Sequence, residues 1–367
     1  MKIVSIVGAR PQFIKAAPVS KALNERDYQE ILVHTGQHYD YGMSKVFFEE
    51  LGISEPDVNL GVGSGSHGWQ TGRMLMRIEE VLLKEKPHWV LVYGDTNSTL
   101  AGALAAVKLH IPLAHVEAGL RFFNRDMPEE HNRVLTDHCS DLLFCPTKTA
   151  VSNLAGEGVT EGVHLTGDTM YDAVLQYAAV ASERSKILQE LGLSPKDYIL
   201  ATVHRPYNTD VPENLQNILT AFQEIGEPIV FPVHPRTRQK IAKLDGERYL
   251  EQGSGNMKIM EPVGYLDMLM LEQNARVILT DSGGMQKEAY FFGVPCVTLR
   301  PETEWAETVE TGWNVLVGTD RSLNIQRIIQ KALKMQPCQF ERRIFGDGRA
   351  GERIVQTLEN ITLQKGL

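Results

Sequence analysis

The sequence predicts an α/β protein made of two Rossmann-like, doubly wound domains that face a cleft. Three observations lead to this prediction: a length of 367 residues, the alternation of apolar runs with helix-like runs, and the return of that pattern in the second half. A chain of this length exceeds what one hydrophobic core usually holds. Strands that alternate with helices indicate parallel sheets joined by right-handed crossovers.

Four strand-like runs in the first half are continuously apolar, as strands covered on both faces must be. They are KIVSIVG at 2–8, EILVHTG at 30–36, HWVLVYGD at 88–95 and PLAHVEAG at 112–119. Helix-like runs follow the first, third and fourth, namely PQFIKAAPVSKALNE, STLAGALAAVKLH and PEEHNRVLTDHCSDLLFCP. We predict that residues 1–168 form an N-terminal domain, joined by a C-terminal helix at 350–367.

The pattern begins again after a helical region at about residues 169–196. Five further strand-like runs are YILATVHR at 198–205, PIVFPVHP at 228–235, NMKIMEP at 256–262, ARVILTDSGG at 275–284 and PCVTLR at 295–300. They predict a second Rossmann-like domain over residues 169–349. Ligands of open α/β sheets bind beyond the carboxyl ends of the strands, so we expect the functional residues there.

Composition and charge exclude several classes of protein. With 43% hydrophobic and 23% charged residues, the chain has the composition of a soluble globular protein. Its net charge of −9 argues against nucleic acid as a partner. It has no run of about eighteen apolar residues that could span a membrane, and its first apolar run lacks a signal-peptide cleavage pattern.

The cysteines and the missing motifs point away from metals and redox cofactors. None of the four cysteines, Cys139, Cys145, Cys296 and Cys338, forms a CxxC pair, so we expect free thiols in a cytoplasmic protein. The sequence has no HExxH or zinc-type spacing, no GxGxxG and no Walker loop. We therefore predict no metal and no cofactor.

A cationic segment, GARPQFIK, follows the first strand. Gly8 permits a tight turn, and Pro11 suits the first turn of a helix. Arg10 and Lys15 place cations where the helix dipole is already positive, which is unfavourable by up to about 1 kcal/mol unless an anion binds there. The pattern favours phosphate or substrate binding, and the alternative is a pair of surface charges beside a helix cap.

Three carboxylates follow the later strands of the first half. Asp95 and Glu117 end two strands, and Glu129 lies in the first turn of the next helix. A carboxylate at the end of a buried strand is costly unless it is paired or functional, so the three form a candidate acid/base cluster. Two simpler explanations compete: Asp95 only caps a helix, and Glu129, Arg133 and Asp137 form a ladder of surface salt bridges.

Two histidines close strands of the second half, where basic residues follow them. His204 precedes Arg205, and His234 precedes Arg236 and Arg238, which suggests a rim that binds an anion. Lone histidines at the ends of strands are more often ordinary core residues, and this explanation stays open.

The segment ILTDSGGMQKEAYFFGVP at 278–295 is the most specific motif. Asp281 ends a strand, and Ser282, Gly283 and Gly284 open a helix whose backbone N–H groups can approach a phosphate. Glu288, further along the helix, can meet a ribose diol, as acids do in other nucleotide-binding domains. The alternative is a helix with an ordinary N-cap.

Together these motifs resemble the non-hydrolysing UDP-N-acetylglucosamine 2-epimerases, which have a glycosyltransferase-B-like fold. The matching segments run in order along nearly the whole chain: GARPQFIKAAPV, TGQHYD, GDTNSTLAGALAA, HVEAGLR, PEEHNR, HPRTR, DSGGMQKEA and RPETEWAE. The resemblance implies an isomerase that eliminates UDP from UDP-N-acetylglucosamine, leaving a 2-acetamidoglucal, and adds it back to give UDP-N-acetylmannosamine. It also implies a cytoplasmic homodimer that supplies precursors of surface polysaccharides.

The resemblance also assigns roles to residues. It makes Asp95, Glu117 and Glu129 the acid/base groups, and it places His204 beside the diphosphate and the sugar. The residues that it implies for substrate binding are Arg10, Lys15, Arg133, His234, Arg236, Met268, Ser282, Gly283, Gly284 and Glu288.

Three departures from the family pattern leave the substrate open. Tyr207 replaces the glutamate of HRxEN, Trp305 replaces the arginine of TERPE, and YDYGMS at 39–44 differs from the form associated with an allosteric site. The segment EAYFFGVPCVTLRPETEW looks more like the branch that acts on UDP-2,3-diacetamido-2,3-dideoxyglucuronate. Two further functions remain compatible with the sequence: a glycosyltransferase that uses a UDP-sugar, and a non-catalytic UDP-sugar sensor.

Overall fold

Two parallel sheets, each surrounded by helices, account for most of the chain, which confirms the predicted α/β class. The computed structural model describes residues 1–37, 55–244, 255–335 and 343–366. One unit comprises Met1–Gln176 with Arg342–Leu367, and the other comprises Tyr177–Glu341. The segment YDYGMS and Cys338 lie outside the described residues.

The first sheet has seven parallel strands in the order β3-β2-β1-β4-β5-β6-β7. The strands are β1 Lys2–Val7, β2 Gln29–His34, β3 Val58–Asn59, β4 Trp89–Tyr93, β5 Leu113–Val116, β6 Leu142–Cys145 and β7 Val163–Leu165. Every residue of β4, β5 and β6 is buried, as their continuous apolar sequence predicts. The strand order reverses between β1 and β4, which is where open α/β sheets bind ligands.

The helices that follow these strands are α1 Arg10–Asn24, α2 His67–Glu85, α3 Asn97–Lys108, α4 Pro128–Cys139, α5 Lys148–Gly156 and α6 Thr169–Arg184. One prediction was wrong here, because the run interpreted as a single helix contains both α4 and β6. The helix ends at Ser140, whose backbone is extended. Asp141 then pairs with Leu113 through two hydrogen bonds of 2.9 Å, which align the next residues beside β5.

The second sheet has six parallel strands in the order β10-β9-β8-β11-β12-β13. The strands are β8 Ile199–Thr202, β9 Ile229–Pro232, β10 Met257–Met260, β11 Val277–Thr280, β12 Cys296–Thr298 and β13 Asn314–Leu316. The helices are α7 Ile187–Leu191, α8 Pro206–Thr209, α9 Pro212–Glu224, α10 Pro235–Lys243, α11 Tyr265–Asn274, α12 Gly283–Phe291, α13 Ala306–Glu310 and α14 Ser322–Ala332. The order reverses between β8 and β11, so His204 and Asp281 end neighbouring strands.

The last helix, α15 (Ala350–Lys365), packs against α1 of the first unit. The backbone N–H of Gly351 donates to Asp172 Oδ2 at 2.8 Å, and the indole N–H of Trp89 donates to Thr362 Oγ1 at 2.8 Å. A side chain at Gly351 would meet the backbone of Pro18 in α1. These contacts tie the end of the chain to the first sheet.

Of the described cysteines, Cys145 and Cys296 are buried and Cys139 is half-buried, and all three are free thiols. Within the described ranges no helix combines the length and the apolar character that crossing a membrane requires.

Small residues bring α3 close to the sheet below it. A Cβ on Gly102 would lie 2.8 Å from Ile6 Cδ1 and 2.9 Å from Val92 Cγ1, which is closer than real contacts allow. A Cβ on Gly156, the exposed last residue of α5, would meet nothing within 4 Å. The two helical glycines therefore differ in what a side chain would meet.

We expect Gly102→Ala to destabilise the protein by about 1–3 kcal/mol, because overpacking outweighs the better helix propensity of alanine. The matched control, Gly156→Ala, should stabilise it by about 0.5–1 kcal/mol. Urea unfolding of both variants measures the difference. Equal effects would mean that α3 does not pack as closely as described.

Candidate functional site

The carboxyl edge of the first sheet carries a strained turn at Glu117, directly after β5. Glu117 has a φ of +70°, in the left-handed region that residues other than glycine rarely adopt. Two consecutive N–H groups, of Glu117 and Ala118, donate to the carbonyl of Phe144 at 3.1 Å and hold the turn. Strain of this kind is retained where the surrounding structure imposes it, often at functional sites.

Lys15 of α1 binds the carboxylate of Glu117. Its Nζ lies 2.5 Å from Glu117 Oε1, and both side chains are buried. The turn after β4 leaves room for this pair, because a Cβ on Gly94 would lie 3.1 Å from the ammonium. The structure thus places Lys15, predicted to neutralise a diphosphate, on a candidate acid/base group. Arg10 is the first residue of α1.

Asp95, after β4, is held by two side chains of α4. Arg133 Nη2 donates to Asp95 Oδ2 at 2.5 Å, and Asn132 Nδ2 donates to the backbone carbonyl of Asp95 at 2.9 Å. The other arm of Arg133 binds Glu130 at 2.8 Å. Glu130, which the sequence pattern did not single out, is therefore part of the same cluster as Asp95.

The predicted alternative of a surface ladder through Glu129, Arg133 and Asp137 was wrong. Arg133 and Asp137 are both buried, because they lie on the side of α4 that packs against the sheet. Arg133 pairs with Asp95 and Glu130 instead. Glu129 is half-buried and has no ion pair among the residues that the structure describes.

A buried charge network lies beneath the Glu117 turn. Asp137 accepts from His115 at 2.7 Å, from Arg121 at 2.6 Å and from the N–H of Gly119 at 3.1 Å. Burial by itself would raise the pKa of the Asp137 carboxyl, but His115 and Arg121 outweigh it and hold that pKa below its usual range. The network fixes the segment that carries Glu117.

The carboxyl edge of the second sheet is organised around Asp281, which is fully buried. Its carboxylate accepts from the N–H groups of His204 at 3.0 Å and Arg205 at 2.9 Å, and from Asn208 Nδ2 at 3.0 Å. The His204 ring lies beside it, with Nδ1 3.3 Å from Asp281 Oδ1. Asp281 therefore fixes the turn that presents His204.

The pKa of His204 is lowered from its ordinary value. The side chain keeps 43% of its surface exposed, so the ring loses only part of its water. That desolvation comes first among the causes, and the charges of Arg205, His234 and Arg300 add to it. Together they outweigh the opposing charge of Asp281, so the ring is neutral near pH 7.

The helix that begins at Gly283 has an ordinary cap and an acid at its start. Ser282 is the N-cap of α12, and its Oγ accepts from the N–H of Met285 at 3.5 Å. The carboxylate of Glu304 lies against Gly283, where a Cβ would overlap it. Arg300 Nη2 binds that carboxylate at 3.0 Å, and both side chains are largely buried. The sequence interpretation missed Arg300 and Glu304, although both lie within RPETEWAE.

The remaining predicted residues of the second unit take separate positions. Glu288 accepts from the hydroxyl of Tyr265 at 3.3 Å, and Met268 is half-buried in α11. His234 is exposed, and its ring caps α10 by accepting from the N–H of Arg236 at 3.2 Å. The Arg236 guanidinium binds Asp210 at 2.6 Å.

Trp305, one of the departures from the family pattern, stacks on a buried cation. Lys287 Nζ lies 3.9 Å from the centroid of the Trp305 ring, and both side chains are almost fully buried. Such a contact contributes about 2 kcal/mol when it is desolvated. Tyr207, the other described departure, has 46% of its surface exposed. No group of three or more metal-ligating side chains occurs in the described part of the chain.

Comparisons with known proteins give one family. A family model described as UDP-N-acetylglucosamine 2-epimerase matches residues 21–359. A UDP-N-acetylglucosamine 2-epimerase homolog from Methanococcus maripaludis is 57% identical, over 98% of this chain and 100% of the relative. A UDP-2,3-diacetamido-2,3-dideoxy-D-glucuronate 2-epimerase from Pseudomonas aeruginosa is 52% identical, with the same coverage. The crystal structure of the Methanocaldococcus jannaschii UDP-GlcNAc 2-epimerase, in complex with UDP-GlcNAc and UDP, is 47% identical with a TM-score of 0.91, over 98% of this chain and 100% of that one.

The environment of His204 gives a prediction for its titration. We expect the midpoint of the ring, measured by NMR, to lie below 6.5, because desolvation and neighbouring cations disfavour the imidazolium. Removing one of those cations with Arg300→Met should raise it. Removing Arg276, which binds Glu227 instead, should leave it unchanged. A midpoint at or above 6.5 in the unaltered protein would contradict the prediction.

Proposed function

The chain belongs to the UDP-N-acetylglucosamine 2-epimerase family, and from this premise we propose that it interconverts UDP-N-acetylglucosamine and UDP-N-acetylmannosamine. The observation that carries the proposal is the pair of strand-end carboxylates, Glu117 and Asp95, each bound to a buried cation at the carboxyl edge of one sheet. A binding protein has no need of such a pair, whereas proton transfer at a sugar carbon requires positioned carboxylates.

The proposed reaction is an elimination followed by an addition. A carboxylate removes the proton from C2 while the bond from C1 to the UDP oxygen breaks, and the 2-acetamidoglucal has a C1–C2 double bond. UDP then adds to C1 while a carboxyl group delivers a proton to the other face of C2. Glu117, Asp95 and Glu129 are the proposed acid/base groups.

We assign the hold on UDP to the predicted C-terminal domain, residues 169–349, which contains the second unit. The start of α12, at Ser282, Gly283 and Gly284, would bind a phosphate through its N–H groups. Glu288 would bind the ribose diol. Neutral His204 would donate a hydrogen bond to the diphosphate or the sugar without trapping the leaving group by charge. The predicted N-terminal domain, residues 1–168 with 350–367, would carry the acid/base groups.

The remaining residues of the predicted site have proposed roles that follow their positions. Arg10 would lie near the diphosphate, and His234, Arg236 and Met268 would line the nucleotide site. Lys15 and Arg133 would act on the substrate through the carboxylates that they bind.

A second candidate substrate is UDP-2,3-diacetamido-2,3-dideoxyglucuronate, which the same chemistry at C2 would epimerise. Two observations favour it: the 52% identity to an enzyme of that name, and the contact between Trp305 and Lys287 where the family pattern has arginine. A glycosyltransferase would need the nucleotide site but would leave the carboxylates of the first unit without a role.

Proton NMR of the purified protein with UDP-N-acetylglucosamine in deuterated water tests the function. We expect the manno epimer with deuterium at C2, because the proton that returns comes from solvent. Glu117→Gln should abolish turnover yet keep UDP binding within about tenfold, or about 1.4 kcal/mol. Turnover that survives this substitution would remove Glu117 from the mechanism.

Different products in the same NMR experiment would indicate different functions. Free N-acetylmannosamine together with UDP would place the protein among hydrolysing enzymes. Turnover of the diacetamido-uronate substrate alone would favour the second candidate. No reaction with either sugar would contradict an epimerase and leave the glycosyltransferase and the UDP-sugar sensor.

We propose that the protein is a cytoplasmic homodimer whose subunits meet through α2. Trp69, Met76 and Leu83 each expose about half of their surface and recur every seven residues. Seven residues turn a helix by about 700°, which is about 20° short of two full turns. Each of the three side chains is therefore rotated by only about 20° about the helix axis from the one before it. An apolar stripe on one helix suits a two-fold interface in which the same helix of a second copy packs against it.

Replacing the middle residue of this stripe should separate the subunits. We expect Met76→Glu to halve the mass measured by light scattering, because like charges would meet across the two-fold axis. Leu363→Glu places the same charge on an exposed leucine of α15 and should leave the mass unchanged. A dimer that survives Met76→Glu would show that α2 is not the interface.

A further inference from the structure

Glu129 and Glu130 are adjacent in the first turn of α4, yet their surroundings differ sharply. Glu129 is half-buried and makes no ion pair among the described residues. Glu130 is 5% exposed, and its carboxylate accepts from the N–H groups of Phe122 at 3.0 Å and Phe123 at 2.8 Å. It also binds Arg133 at 2.8 Å. These polar contacts on one buried carboxylate indicate a fixed position.

Glu130 is connected to Asp95 through a single guanidinium. Arg133 donates to Glu130 through Nη1 and to Asp95 through Nη2. Asn132, the residue before Arg133, donates to the backbone carbonyl of Asp95. One turn of α4 therefore holds both the side chain and the main chain of Asp95, and Glu130 binds the other arm of the arginine that does so.

We propose that Glu130 is a positioning residue for Asp95: it divides the charge of Arg133 between two carboxylates and so keeps Asp95 basic enough to take part in proton transfer. The inference rests on the proposed function only for the role of Asp95. Glu130 itself has no contact with the reacting atoms in this assignment. Its bonds to Phe122 and Phe123 also fix the loop that leads into α4.

The charge balance explains why two carboxylates are needed on one arginine. A buried guanidinium beside a single carboxylate favours the ionised acid strongly and lowers its basicity. A second carboxylate on the other arm opposes that effect. Four other titratable residues also lie at this sheet edge: Lys15 of α1, Glu117 after β5, Glu129 of α4 and His67 of α2. All four are still present in Glu130→Gln.

The experiment replaces Glu130 by glutamine and measures the pKa of the Asp95 carboxyl by carbon-detected NMR. Glutamine keeps an oxygen for the two loop N–H groups but removes the negative charge. We expect the pKa of Asp95 to fall by about half a unit to one unit, because Arg133 then interacts more strongly with it. Asp126→Asn removes a charge from an exposed residue of the same loop and should leave that pKa unchanged.

Steady-state kinetics supply the second readout. For Glu130→Gln we expect kcat to fall by about 2- to 10-fold, which is what a base weaker by half a unit to one unit allows, with KM within about threefold. The acidic limb of the kcat profile should move to lower pH with the pKa of Asp95. Glu129→Gln removes a proposed acid/base group one residue away. It should lower kcat but should not lower the pKa of Asp95 by as much as Glu130→Gln does.

These readouts separate the inference from the proposed function. If the unaltered protein epimerises neither sugar but the pKa of Asp95 still falls in Glu130→Gln, the function fails and the positioning by Glu130 stands. If the protein is active and Glu130→Gln leaves the pKa and the acidic limb in place, the inference is overturned. Suppose instead that Glu130→Gln loses both stability and kcat, while the pKa of Asp95 in the folded variant does not move. That result would also overturn the inference and leave Glu130 a purely structural residue.

Discussion

The burial of carboxylates at the carboxyl edge of the first sheet is the constraint on which the rest of this unit depends. A buried, ionised carboxylate is unstable in a protein unless cations and hydrogen bonds compensate the loss of water. Glu117 is buried and Asp95 half-buried at this edge, Asp137 is buried beneath it, and each has a cation within hydrogen-bonding distance. Helices α1 and α4 supply Lys15 and Arg133, and the segment after β5 supplies Arg121, so the packing of these elements and the charge balance depend on each other.

This constraint also explains the local backbone. Lys15 reaches Glu117 because Gly94 leaves space for its ammonium, and because Glu117 itself adopts a left-handed conformation. The two N–H groups on the Phe144 carbonyl and the network around Asp137 hold that conformation. The strain at Glu117 therefore persists through contacts with β6 and α4, and its side chain is fixed before any ligand arrives. Preorganised charge of this kind is what proton transfer at carbon requires.

Part of this arrangement could be predicted from the sequence. Continuous apolar runs predicted the long buried strands, and the residues after them were expected at the functional edge, where the structure places Asp95, Glu117 and His204. The short strands β3, β7 and β13 were missed because their two or three residues are only partly buried and form no continuous apolar run, unlike the equally short β12. Glu130 was missed because the direction of a side chain in a first helical turn depends on how the whole helix packs, and spacing alone favoured a ladder from Glu129.

The two sheet edges handle charge in opposite ways, and the difference matches the proposed division of labour. The first edge pairs each strand-end carboxylate with a cation, which compensates buried Glu117 and half-buried Asp95 for the water that they lose. The second edge presents a neutral histidine and the start of a helix, where Arg300 is already bound to Glu304 beside Gly283. A diphosphate bound there, as we propose, would have to compete with the Glu304 carboxylate for Arg300. Because part of the attraction would go into displacing that carboxylate, the site would hold UDP less tightly than an unpaired arginine would, which suits a group that leaves the sugar and then returns.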